Sequence, residues 1–146
     1  MNASEVLAAI RASNRGYPLL AELVLNDMQA EWQIEPAQRR IDGLLIGPRG
    51  QRTAIEVKVT RQDYKRETEA KRRAWQAICH RFVYAVPSGL IQPEEVPDGI
   101  GLWWITEEGR IETKKRCRIN KTPSHVPDHL FAALCWRLEN ARKERG

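Results

Sequence analysis

The segment Thr53-Ala54-Ile55-Glu56-Val57-Lys58-Val59 constrains the fold more than any other stretch of this chain. Branched apolar residues alternate in it with charged ones, the period of an extended strand with one apolar face. Ile55, Val57 and Val59 then point one way while Glu56 and Lys58 point the other, presenting an acid and a base two residues apart. The run Ile41-Asp42-Gly43-Leu44-Leu45-Ile46 is also strand-like, and the turn formers Gly47-Pro48-Arg49-Gly50 join the two runs as a hairpin. A hairpin that sets Asp42 beside Glu56 makes two carboxylates converge, and a divalent cation relieves their repulsion. Hard carboxylate oxygens favour magnesium, with manganese able to substitute, and such an ion keeps several waters. The carbonyl of Val57 is the expected backbone ligand, and Lys58 would face the attacking water.

Around this hairpin the pattern alternates between helix and strand. Ser4 is the expected cap of a short helix, and Leu19, Leu20, Leu23, Val24 and Met28 give Tyr17–Gln29 the stripe of an amphipathic helix carrying Glu22. A short strand is expected around Glu31–Ile34. Asp63 to His80 reads as one long helix, basic in its first half, followed by a buried strand Phe82–Pro87. After a loop rich in Pro and Gly come the strand Gly101–Thr106, a turn at Glu107-Glu108-Gly109 and the segment Arg110–Lys114. A closing helix starts at Asp128, with Leu130, Phe131, Leu134, Cys135 and Leu138 at helical spacing. This order predicts an α/β sandwich, a mixed central sheet flanked by helices, in one domain spanning 1–146.

A length of 146 residues, 42% of them hydrophobic and 29% charged, suits an ordinary globule. No apolar run nears the roughly 18 residues of a membrane span. The amino terminus lacks the basic-then-apolar order of a secretory signal, so a cytoplasmic location is expected, in a bacterium or a phage-infected host cell. Cys79, Cys117 and Cys135 lie far apart without a CxxC pair and read as buried thiols rather than a disulfide or zinc framework. A net charge of +5 suits a polyanionic partner. The 61–73 segment offers Arg61, Lys65, Arg66, Lys71 and Arg72, and the acid-free run 113–121 offers Lys114, Lys115, Arg116, Arg118 and Lys121 as phosphate contacts. Either cluster also suits a solvated face.

An isolated Glu-x-Lys arises by accident in roughly one of every two chains this long. Its weight comes from an Asp in the preceding strand, a hairpin-sized separation and a basic segment after it. Two carboxylates, a divalent ion and a lysine are the parts that phosphodiester hydrolysis requires: charge neutralisation, an acidified water and a positive group where charge develops. Whether Lys58 acts as base or as electrostatic stabiliser is left open by the sequence. Arg40-Ile41-Asp42, then Ile55-Glu56-Val57-Lys58-Val59-Thr60-Arg61-Gln62-Asp63-Tyr64, then Cys79-His80-Arg81-Phe82-Val83-Tyr84-Ala85-Val86-Pro87 resemble the core of the MmcB-like DNA repair nucleases. They resemble equally the phage-encoded relatives of that group, which continue into segments like 89–97 and Gly101-Leu102. The match covers roughly residues 39–105.

The resemblance implies a PD-(D/E)XK, restriction-endonuclease-like fold and a magnesium-dependent endonuclease acting on DNA, in phage DNA processing or repair. It makes Asp42 and Glu56 metal ligands and Lys58 the catalytic lysine, with Glu22 and Gln76 as supporting residues. The stretch 65–75 is longer than in the family, which unsettles equivalences for Asp63, Lys71 and Trp75. A homodimer is one assembly expected of such small nucleases. The rival readings are a catalytically idle nucleic-acid-binding module of the same fold and an assembly protein with a basic face. Among the remaining residues, His80 reads as a helix-terminal histidine facing the dipole, and His125 and His129 lack a third zinc ligand. Trp103 and Trp104 should face opposite sides of their strand, at least one of them in the core.

Overall fold

The computed structural model describes residues 1–27 and 37–145. Its elements run α1 (Ala3–Ser13), β1 (Leu19–Asp27), β2 (Ala37–Ile46), β3 (Arg52–Val57), α2 (Arg61–Lys65), α3 (Glu69–Ile78), β4 (Arg81–Pro87), β5 (Gly101–Ile105), β6 (Ile111–Lys115) and α4 (Asp128–Arg145). The strands form one six-stranded sheet in sequence order. β1, β2 and β3 are antiparallel neighbours, β3–β4 and β4–β5 are parallel, and β6 returns antiparallel to β5. The α/β sandwich with a mixed sheet read from the pattern is therefore present.

Each face of the sheet is covered by helices. On one, Trp75 and Ile78 of α3 and Leu130 and Leu134 of α4 pack on Leu23, Ile41, Phe82, Tyr84 and Leu102. On the other, Val6 and Ile10 of α1 pack on Leu19, Leu45, Ile55, Val57 and Ala85. Gly43 permits this second contact: a Cβ there would lie 3.2 Å from side-chain carbons of both Leu7 and Leu19. Ile55 and Val57 face α1 while Glu56 faces α3, as the alternation requires. No helix among the described residues is long and apolar enough to cross a membrane.

Three expectations are corrected. Leu19–Asp27 is a strand, not part of a helix. Glu22 takes a left-handed φ of 54°, which shifts the phase of side-chain alternation, so that Leu20, Leu23 and Leu25 all enter the same apolar layer. A kinked strand thus imitates helical spacing, at a local cost of about 1–2 kcal/mol for the left-handed residue. The expected helix over 63–80 is two helices, because Thr60 and Thr68 each cap a new start, accepting from the amides of Asp63 and Lys71. Asn2, not Ser4, caps α1 by accepting from the amide of Glu5. The strand expected around 31–34 lies outside the described residues.

The Glu95 carboxylate is one fastening of the loop between β4 and β5. Arg61 reaches both oxygens of Glu95 and the carbonyl of Leu90, while Glu95 Oε2 accepts from the Gln92 amide at 2.7 Å and the Tyr64 hydroxyl donates to the Glu95 carbonyl. At the other end of α3, His80 Nδ1 accepts from the Arg52 amide at 3.0 Å, and burial and two neighbouring arginines hold its pKa below the ordinary value. His80 is thus a backbone partner joining β3 to β4 rather than a dipole contact.

Trp75 is fully buried and its indole donates to the Arg39 carbonyl at 3.1 Å, so it locks α3 onto β2. Trp75→Ala should lower unfolding stability by about 3–5 kcal/mol in urea titration. A loss under about 1 kcal/mol would show that this contact does not hold the layer.

Candidate carboxylate site

The register between β2 and β3 runs from Ile46↔Arg52 to Gly43↔Ile55, and one further step sets Asp42 opposite Glu56. There the two strands part. The Val57 amide, which needs a new partner, donates instead to Asp42 Oδ2 at 2.7 Å. Lys58 lies just past β3, its amide donating to the Ala85 carbonyl at 3.1 Å, so the parallel ladder continues by one residue. Asp42, Glu56, Val57 and Lys58 are therefore brought together as the hairpin predicted.

Glu56 is 2% exposed, an unusual burial for a carboxylate. Lys71 of α3 forms an ion pair with its Oε2. Glu67, in the turn between α2 and α3, is the centre of the remaining contacts. Its Oε1 lies 3.2 Å from Lys58 Nζ and 3.4 Å from Lys71 Nζ, and its Oε2 accepts from the Tyr84 hydroxyl at 3.0 Å. Arg72 in turn donates to the Tyr84 oxygen at 3.2 Å. Tyr84 stands beside Glu56 in the β3–β4 register, so strand pairing and helix start converge on one cluster.

Three carboxyl groups here face two ammonium groups. Burial, followed by the adjoining Asp42, pushes the Glu56 acid up to about 9, outweighing the opposing influence of Lys71. Burial alone would lower Lys71, but Glu56, Glu67 and Asp42 together carry it above its ordinary value. Burial and the charge of Glu67 likewise raise the Tyr84 phenol, which stays a donor.

Two expected supports fall elsewhere. Glu22 sits on the kink of β1, in the position facing Asp42, but its side chain is 68% exposed and reaches only Arg40, 3.9 Å away. The strand kink, absent from a helical reading, turns it outward. Gln76 lines a separate cleft with Arg118, Asn120 and Lys121, because α3 starts only at Glu69 and its last turns lie beside the 117–121 segment. Glu67 and Tyr84 were missed. The Glu67–Lys71 spacing of four residues was the available signal.

The basic residues divide similarly. Lys71 and Arg72 are engaged inside the cluster, Arg61 is bound to Glu95, and Lys115 donates to the carbonyls of Val96 and Pro97. Each of these four has a protein acceptor within reach. Lys114 lies 4.6 Å over the Trp104 ring, and Arg66 faces Asp63 at 3.7 Å. Lys65, Arg116, Arg118 and Lys121 remain exposed. His129 Nε2 accepts from the Asn26 amide at 3.1 Å, a structural role. Of the thiols, Cys79 is buried and pushed up to about 12, whereas Cys135 is exposed, contrary to expectation.

Among the described residues, no three His, Cys, Asp or Glu side chains gather as a ligand set for a metal. Magnesium does not need three: one or two carboxylates suffice when water and substrate oxygens complete its shell. The buried Glu56 carboxyl next to that of Asp42 is a donor set that fits such an ion in place of the Lys71 ammonium.

A raised Glu56 makes the folded state hold a proton that the unfolded chain releases above about pH 4.5. Its contribution to stability is complete below that value and is lost as pH rises toward about 9. Each pH unit within that window removes up to about 1.4 kcal/mol. Glu56→Gln should flatten the fall in melting temperature between these limits and leave the protein more stable than wild type at the alkaline end. Parallel curves for the two proteins would show that Glu56 holds no such proton.

No family model matches the chain. No curated protein matches it either. Among solved structures it is similar to a protein of unknown function from Silicibacter pomeroyi, with 21% identity and a TM-score of 0.60 over 98% of this chain and 84% of that one. A likeness at that identity speaks for the fold alone: an α/β protein whose six-stranded mixed sheet lies between layers of helices.

Proposed function

We propose that this chain is a magnesium-dependent nuclease of the PD-(D/E)XK class that cleaves DNA phosphodiesters. The observation that carries the reading is the buried Glu56 carboxyl adjoining that of Asp42, with Lys58 two residues on. Asp42, Glu56 and the Val57 carbonyl would hold the ion. When bound, magnesium supplies charge neutralisation at the phosphate and acidifies a coordinated water. The protein's own part is positional. Asp42 is fixed by the Val57 amide and Lys58 is held by Glu67, which Tyr84 orients. Lys58 thereby offers a positive group where phosphate charge develops. Glu67 acts through Lys58 and is a positioning residue. Lys65, Arg116, Arg118 and Lys121 supply exposed charge for the DNA backbone.

One observation favours a second reading, a nucleic-acid-binding module without cleavage. The Lys71 ammonium already pairs with Glu56, one of the two carboxylates that an ion would neutralise. The two readings differ in whether a cation displaces it.

Purified protein should nick plasmid DNA with magnesium or manganese and not with EDTA. Asp42→Asn and Glu56→Gln should weaken manganese binding in calorimetry by about 10-fold or more and abolish nicking. Lys58→Ala should keep the metal and lose roughly 10²-fold or more in cleavage. DNA binding without metal uptake or cleavage would establish the second reading.

Substituting Arg116, Arg118 and Lys121 together by Ala should weaken DNA binding. Each lost phosphate contact should reduce the slope of log affinity against log salt by roughly 0.7–0.9. An unchanged slope would remove this segment from the DNA face.

A further inference from the structure

α4 carries two apolar lines, and only one of them is used by the fold. Leu130 and Leu134 are buried against the sheet. Phe131, Cys135 and Leu138 lie along another line, with Phe131 62% and Leu138 46% exposed and Cys135 also open to solvent. Extending that line in both directions adds Asp128 before it and Arg142 after it, all within α4. The spacing is then three, four, three, four, the seam of a helix that packs on another helix.

We propose that this seam is a self-association surface, on which a second copy of the chain packs its own α4 antiparallel, with the two-fold axis beside Cys135. The sequence of the seam is self-complementary on reversal. An antiparallel partner sets Asp128 of one copy against Arg142 of the other at both ends, whereas a parallel partner would set like charges together. Phe131 then meets Leu138 twice, and Cys135 meets its own copy at the axis, as an isologous interface requires. The opposed helix dipoles add to the same orientation. Arg142 is available for this role, since among the described residues its only ion pair is with Glu139, one helical turn away at 3.7 Å, and its side chain is 84% exposed. A face bearing a single charge sign would suit an unrelated acidic or basic partner; one with an acid and a base at matched distances from its centre suits its own copy. The inference stands apart from the nuclease reading.

Sedimentation of the whole chain should show a dimer at concentrations on the order of 10 μM. Phe131→Asp with Leu138→Asp should raise its dissociation constant by about 100-fold or more, while circular dichroism and melting show a folded monomer. Asp128→Arg and Arg142→Asp should each weaken the dimer, and the two together in one chain should restore it, an outcome independent of any folding defect at the apolar positions. Mild oxidation should give a covalent dimer that Cys135→Ser abolishes. A wild-type monomer at about 100 μM would overturn the proposal. So would a dimer that the double charge reversal fails to restore, or one that Cys135 does not link.

Discussion

The hydrogen bond from the Val57 amide to Asp42 is the point on which the site depends. Where β2 and β3 separate, a backbone donor would lose its ladder partner inside the protein, and an unmet donor there is costly. Asp42 meets it with a side-chain oxygen. In doing so the carboxylate is anchored beside Glu56, and divergence of the strands opens room for the helix-borne groups. A structural need and a chemical arrangement are met by the same two oxygens.

Holding Glu56 beside Asp42 under α3 works against folding, since both burial and repulsion disfavour its charged form. The surroundings offset that cost. Glu67 spans Lys58 and Lys71, and Tyr84 joins this network to β4, in the middle of the sheet. A carboxylate so enclosed has few ways to relax when its electrostatic surroundings change. Packing on both faces of the sheet fixes the frame in which the charges must be balanced.

Much of this was legible in the residues. The period of two around Glu56 gave β3 and its facing correctly, and the turn formers 47–50 placed the hairpin that sets Asp42 opposite Glu56. The short loop made that long-range contact local in sequence. Glu67 and Tyr84 were not legible, because their meeting depends on where α2 stops and α3 starts, and on a parallel register between strands far apart in the chain. The helix expected over 17–29 failed for a different reason. A left-handed residue at Glu22 reset the strand's phase, which apolar spacing alone cannot reveal. Likewise the stripe of α4 looked like one core face and is two lines, only one of them buried.

The Glu95 clasp behaves oppositely to Glu56 on acidification. The Arg61 guanidinium, followed by the Gln92 amide, holds the Glu95 carboxyl down at about 2. The loop from β4 to β5 is therefore fastened by a group that stays ionised across the whole range in which an ordinary carboxylate takes up its proton. In moderate acid this clasp keeps its charge. Ionic strength, which screens an exposed ion pair without touching the proton, therefore weakens this clasp more than moderate acid does.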